Sequence, residues 1–145
     1  MDLSFPPVVF WDKEEQKTQI DMACRTAEEF TKHYYENIDK RRQLMVKFYM
    51  DTAVLVWNGN GIIGKDEISK FLTALPLTEH KVGALDAQRI LDTAVGGKLA
   101  FLITVAGTVK FSSKNHRPFT QNFMITNHED KWKIVSDCFR CQDPL

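Results

Sequence analysis

Apolar positions along this chain change their period part-way through. From Ile20 to Ile38 they recur at spacings of three and four, at Ile20, Ala23, Ala27, Phe30, Tyr34 and Ile38. That is the stripe of an amphipathic helix. The run DKEEQ before it puts acidic residues near the helix start, where the dipole favours them. A second, shorter helix is predicted from Lys40 to Tyr49, with Leu44, Met45 and Phe48 inward. The pattern then turns β-like. AVLVW, Ala53 to Trp57, predicts a strand, and NGNG after it predicts a turn. Asp66 to Leu75 returns to helical spacing through Ile68, Phe71, Leu72 and Leu75, and Pro76 ends it.

From His80 onward the pattern is β throughout. The predicted strands are 80–91, 98–111, 118–127 and 131–140, joined by DTAVGG, SSKNHR and NHED. Connectors this short suit antiparallel neighbours, since parallel ones need a long crossover. Helices first and strands after predict an α+β domain, with helices on one face of a curved sheet. Residues 12–145 form that domain, and residues 1–11 (MDLSFPPVVFW) are an N-terminal extension.

The strands also predict what their faces do. Leu99, Phe101, Ile103, Val105, Val109 and Phe111 share one parity, a buried face. The other parity carries Ala100, Leu102, Thr104, Ala106 and Thr108, too apolar and uncharged to sit comfortably in water. In 131–140, Trp132, Ile134, Ser136, Cys138 and Arg140 fall on one side, and Lys133, Val135, Asp137 and Phe139 on the other. One face of the sheet takes the helices. Unless bulges break the parity, the other needs a second protein, because exposed apolar sheet faces mark interfaces.

Composition narrows the function. The 145 residues are 43% hydrophobic, and 19 Lys and Arg balance 19 Asp and Glu. Disorder needs few apolar residues and a large net charge, so it is excluded. Neutrality argues against direct nucleic-acid binding, which needs a basic patch to displace counterions. Three cysteines are too few for a disulfide framework. The apolar N-terminus lacks a basic leader and carries two prolines, so it does not read as a signal peptide. A reducing compartment is the expectation, with no membrane span.

Each candidate motif has a plainer reading. GNGIIG, Gly59 to Gly64, matches a dinucleotide fingerprint, but that site requires a parallel βαβ unit. It reads instead as a turn needing positive φ, followed by acids in a helix's first turn. Cys138-Phe139-Arg140-Cys141 is a lone CxxC without the other ligands that zinc requires. Residues three apart on a strand face opposite ways, so the two sulfurs diverge. His33, His80, His116 and His128 are scattered and read as solvated. Lys40, Arg41 and Arg42 read as a solvated helix end complementing Glu36 and Asp39. Asp137 stands in an apolar strand. Desolvated beside Tyr34 or Tyr35 it suits a general base, as in an isomerase or dehydratase. Its alternative is a structural carboxylate held by hydrogen bonds.

The strings YYENIDKRRQLMVKFYMDTAVLVWNGNG, DAQRIL, GTVKF, QNFMIT and WKIVSDCFRCQD carry a resemblance. Over about residues 20 to 143 the chain resembles the nuclear transport factor 2-like family, and within it the export-related branch. The extension to Trp11 departs from that pattern, as does Cys141 where a bulky residue is expected. The resemblance implies a cone: a bent antiparallel sheet with about three helices on its concave side. It implies a non-enzymatic subunit without metal or cofactor, the small half of a heterodimer. Its sheet would pack on the nuclear transport factor 2-like domain of the large mRNA export receptor. The Arg of SDCFR, here Arg140, would pair with an acidic residue of that partner. Face parity adds Ile134 and Ser136 to the partner-binding set. Phenylalanine-glycine repeats of pore proteins and the mRNA itself would be bound through the large subunit, in nucleus and cytoplasm and at the nuclear pore. Two rival expectations remain. One is a homodimeric carrier for a small GTPase, and the other is the pocket enzyme using Asp137.

Overall fold

The structure, a computed structural model, describes residues 12–90, 98–112 and 114–142. The extension 1–11, the connector DTAVGG and the end of the expected strand 80–91 lie outside them. Helix α1 spans Lys13–Lys40. Asp12 caps it, accepting from the Glu15 amide at 2.7 Å while Glu15 accepts from the Asp12 amide. This reciprocal pair satisfies two amides that the helix itself leaves open. The buried stripe runs Ala23, Ala27, Phe30, Tyr34 and Ile38, and also takes in Thr31 and Tyr35. It does not include Ile20, which is 61% exposed, because the first turns of α1 are largely solvent-facing.

A 3-10 helix follows at Arg42–Phe48 and buries Met45. Strand β1 covers Tyr49–Trp57 and β2 covers Asn60–Ile63. The turn between them is only Asn58 and Gly59, with φ of 47° and 84°. Positive φ at both central residues matches the right-handed twist of a hairpin. Asn60 is thus already strand, where the NGNG pattern predicts turn. Helix α2 spans Lys65–Ala74, entered through Gly64 at φ 89°. Strands β3 (Thr78–Ile90), β4 (Ala100–Phe111), β5 (Arg117–His128) and β6 (Lys131–Cys141) complete the chain.

The six strands form one curved sheet, not closed into a barrel, in the order β2-β1-β6-β5-β4-β3. From β3 to β6 it is the expected antiparallel meander. Strand β1, however, runs parallel to β6. About half of the chain separates the two, so the limit that short connectors impose does not apply to them. Helix α1 lies along β3, and α2 against β1. Between helices and sheet sit Phe30, Tyr34, Met45, Leu72, Phe101, Ile103, Phe123 and Phe139, all buried.

Two irregularities set which residues face where. In β6 the pairing runs Ile125 to Ile134 and Met124 to Ser136, so Val135 is an inserted residue. This bulge turns Ile134 inward, and it is fully buried in the chain's own core. Ile134 therefore does not share a face with Ser136 and Arg140. In β3 a bulge at Gly83 brings the Lys81 carbonyl against Gly107 of β4. A Cβ on Gly107 would stand 2.0 Å from that oxygen.

The end of α1 is tied to the start of β3. Asp39 accepts from Thr78 Oγ1 at 2.8 Å, from the His80 amide at 2.9 Å and faces His80 Nδ1 at 2.6 Å. The His80 side chain is only 1% exposed, with Tyr35 and Phe119 against its ring, so it is not solvated. Arg42 is not solvated either. It donates to the carbonyls of Ile38, Leu75 and Pro76 and to Thr78 Oγ1, joining the ends of α1 and α2. Lys40 and Arg41 behave as expected: both are exposed, and Arg41 lies 3.9 Å from Glu36.

Gly107→Ala is expected to destabilise the fold by about 3 kcal/mol, because backbone rather than a flexible side chain blocks the methyl. Urea denaturation measures this. A loss under about 1 kcal/mol would mean that the β3 bulge yields freely.

Candidate interaction face

Helices cover one face of the sheet, and the strand registers define the other. One row crosses all six strands: Gln88, Leu102, Met124, Ser136, Val54 and Ile63. A second runs parallel to it through Asp86, Thr104, Asn122, Cys138, Val56 and Gly61. A third holds Ala84, Ala106, Thr120 and Arg140. Across these three rows the only charged residues are Asp86 and Arg140. Leu102 (40%), Val54 (37%) and Ile63 (74%) are exposed within a single row. Aligned apolar exposure of this kind is what distinguishes an interface from scattered surface residues. Thr104 Oγ1 donates to Asn122 Oδ1 at 2.9 Å, so part of the polar content is already satisfied within the face.

Arg140 and Ser136 thus stand on this face, and Ile134 does not. Arg140 is exposed and makes no hydrogen bond or ion pair among the described residues. Its guanidinium lies beside the β1–β2 turn, where a Cβ on Gly59 would be 3.9 Å from Nη2. The turn is fixed from behind, as Asn58 accepts from the Cys141 amide at 2.9 Å. Sequence reasoning missed Val54, Val56, Asn122 and Met124 as members of this face. The signal available for them was the apolar second parity of strand 98–111, which β5, β6 and β1 continue.

Directly behind the face lies a buried polar centre. Asp137, 2% exposed, accepts from Tyr49 Oη at 2.7 Å and Tyr34 Oη at 3.4 Å on one oxygen. Gln121 Nε2 donates to the other oxygen at 2.8 Å, and Tyr35 Oη donates to Gln121 Oε1 at 2.7 Å. Burial pushes the Asp137 carboxyl up to about 6, against the pull of its three hydrogen bonds. Burial, then the Asp137 charge, raises the phenols of Tyr34 and Tyr49 well above their ordinary value. They are fixed donors, not bases.

This centre has the groups of an acid–base site but not its access. An open groove of about 420 Å³ is lined by Thr26, Glu29, Phe30, His33, Asn37, Phe48, Lys131 and Trp132. None of the four side chains around Asp137 lines it. Both carboxylate oxygens are occupied by protein donors, and no buried side-chain polar atom among the described residues lacks a partner. The CxxC separates as its spacing implies, with Cys138 exposed and Cys141 buried against Asn58. Among the described residues no group of three His, Cys, Asp or Glu side chains is placed to hold a metal ion.

Comparison with known proteins fits this geometry. The family model for the nuclear transport factor 2 (NTF2) domain matches residues 26–141. NTF2-related export protein 1 of Bos taurus is 44% identical over 131 residues, covering 88% of this chain and 94% of that protein. Nuclear transport factor 2 of Cryptosporidium parvum shares the fold at a TM-score of 0.73 and 19% identity, over 86% of this chain and 95% of that one. A chain of the C. albicans Mtr2–Mex67 M domain complex does so at 0.69 and 15%, over 86% and 98%.

Asp137→Asn tests the buried centre. The folded state keeps the Asp137 proton up to about pH 6, while the unfolded chain releases it near the ordinary 3.8. The group's contribution is therefore full below about 3.8 and lost as pH rises through about 6, by roughly 3 kcal/mol. Other carboxylates titrate in both proteins and cancel. The stability of Asp137→Asn is expected to gain on wild type by about that amount between pH 4 and 7, read from urea midpoints. A pH-independent difference would show that Asp137 does not titrate in this range.

Proposed function

The chain belongs to the nuclear transport factor 2 (NTF2) domain family, and from that premise we propose that it is the small subunit of a heterodimeric mRNA export receptor. Its outer sheet face packs on the nuclear transport factor 2-like domain of the large receptor subunit. The observation that carries this reading is the pair of unbroken, nearly uncharged rows across six strands. A monomer gains nothing by presenting Leu102, Val54 and Ile63 to water in one line. Covering them removes apolar area from water and supplies the second layer that such a face requires.

The subunit is not an enzyme. Its most enzyme-like residue, Asp137, is closed in by its own donors, and its role is to hold α1, β1, β5 and β6 together behind the contact face. It acts by stabilising the partner's domain and completing the receptor. RNA and pore-protein repeats are engaged through the large subunit, which accords with a chain of zero net charge. The complex works in nucleus and cytoplasm and at the nuclear pore. Similarity to an NTF2-related export protein supports this assignment.

Within the interface Arg140 is the anchor. A cation that is buried without a counter-charge pays its desolvation unrepaid, so the partner must present an acid beside the β1–β2 turn. Ser136 lies four residues away, on the apolar row, and allows close approach.

Co-purification with the large receptor's nuclear transport factor 2-like domain tests the proposal. Wild type is expected to form a 1:1 complex, and Arg140→Asp to weaken it by about 2–5 kcal/mol, roughly 30-fold or more. Undiminished binding by Arg140→Asp would remove that residue from the interface. Failure of the wild-type chain to bind would sink the function itself.

A further inference from the structure

The outer face carries a second unpaired charge. Asp86 stands on β3, opposite Thr104 of β4, in the row that continues through Asn122 and Cys138. It is exposed and makes no hydrogen bond or ion pair among the described residues. The charge nearest to it along β3, Arg89, has the opposite parity and donates to Gln19 Oε1 at 3.0 Å. Glu79 and Lys110 lie farther along β3 and β4 and face each other at 3.8 Å. Lys81 lies beyond the Gly83 bulge, paired with Thr108.

From β6 to β3 is three strand spacings, roughly 14 Å. Within the three rows there is therefore one cation and one anion, offset by two residues along the strands and roughly 16 Å apart, with Lys81, Lys133 and the Glu79–Lys110 pair lying beyond them. We infer that Asp86 is the second anchor of the interface, recognised by a Lys or Arg on the facing sheet of the partner domain. This rests on the heterodimer reading above.

Packed sheets of this kind lie roughly 10 Å apart with their strands nearly aligned, so both charges are covered at once. Burying Asp86 against an apolar or acidic surface would leave a desolvated, unpaired carboxylate, which binding does not tolerate. A partner of the same fold, related by a near-two-fold axis along the strands, lays its counterpart of β6 over β3. It can then offer a base to Asp86 while its acid meets Arg140. The two opposite charges also fix orientation. A partner turned end for end would set like charge against like, or leave both charges unmatched. Arg140 alone fixes one point, and a sheet can still pivot about one point. Two points remove that freedom.

The test uses the full chain and the partner's nuclear transport factor 2-like domain, with affinity measured at low and high salt. Asp86→Lys is expected to weaken binding about tenfold or more, and Asp86→Asn by less. Asp86→Asn is also expected to flatten the salt dependence, which a merely structural residue would not change. Glu28→Gln, which removes one carboxylate from the exposed side of α1 away from this face, serves as the control and is expected to bind as wild type. Because Asp86 is exposed and unbonded, each variant should unfold at the wild-type midpoint. If Arg140→Asp weakens the complex while Asp86→Lys binds at full strength, the second anchor is wrong and the heterodimer stands. If wild type itself does not bind, the heterodimer reading fails first.

Discussion

A sheet has two faces, and in this protein helices cover only one. That constraint organises everything else. Six strands in one layer present far more apolar surface than α1, the 3-10 helix and α2 can cover from a single side. The concave side becomes the core, with Phe101, Ile103, Val105, Phe119, Phe123 and Phe139 turned to the helices. The other side keeps Leu102, Met124, Val54, Val56 and Ile63 in register across the sheet. The chain's 43% apolar content is thus divided between its own core and a second surface.

The face can be continuous because what lies behind it is tied together by hydrogen bonds. Asp137 gathers Tyr34 from α1, Tyr49 from β1 and Gln121 from β5 onto one carboxylate of β6. The four elements meet at one buried point, behind Ser136 and Cys138. Asp39 does the same at the far end of α1, collecting Thr78 and His80 from β3. Such networks reward complete satisfaction, since a half-satisfied buried group costs more than an apolar one. Holding Asp137 so deep costs stability at neutral pH and yields a sheet whose central strands cannot drift. The donors that would orient a substrate at an open carboxylate bond to Asp137 instead.

Much of this was legible in the residues. Period 3.6 followed by period 2 located α1, α2 and strands β3 to β6 to within a few residues, because each is long and one-sided. The same alternation in 98–111 exposed the need for a covering layer. What was not legible has specific causes. Ile134 was misplaced because one inserted residue, Val135, reverses every face assignment beyond it, and an insertion leaves no mark in the alternation. His80 and Arg42 were read as solvated because their partners lie about 40 and 35 positions away, or are main-chain carbonyls. Strand β2 was hidden inside its own turn signal, since Asn60 and Gly61 have turn composition but strand pairing.

The sequence by itself determined the element order, the neutral surface, the spare apolar parity and the family strings, because these depend on composition and spacing within one stretch of chain. Only the tertiary structure decided which side of β6 faces out, that β1 joins β6 in parallel, and that Asp137 is enclosed rather than open. Each of those depends on where segments remote in sequence come to rest against one another. Local periodicity sets what each segment needs to bury, and packing sets which neighbour meets that need.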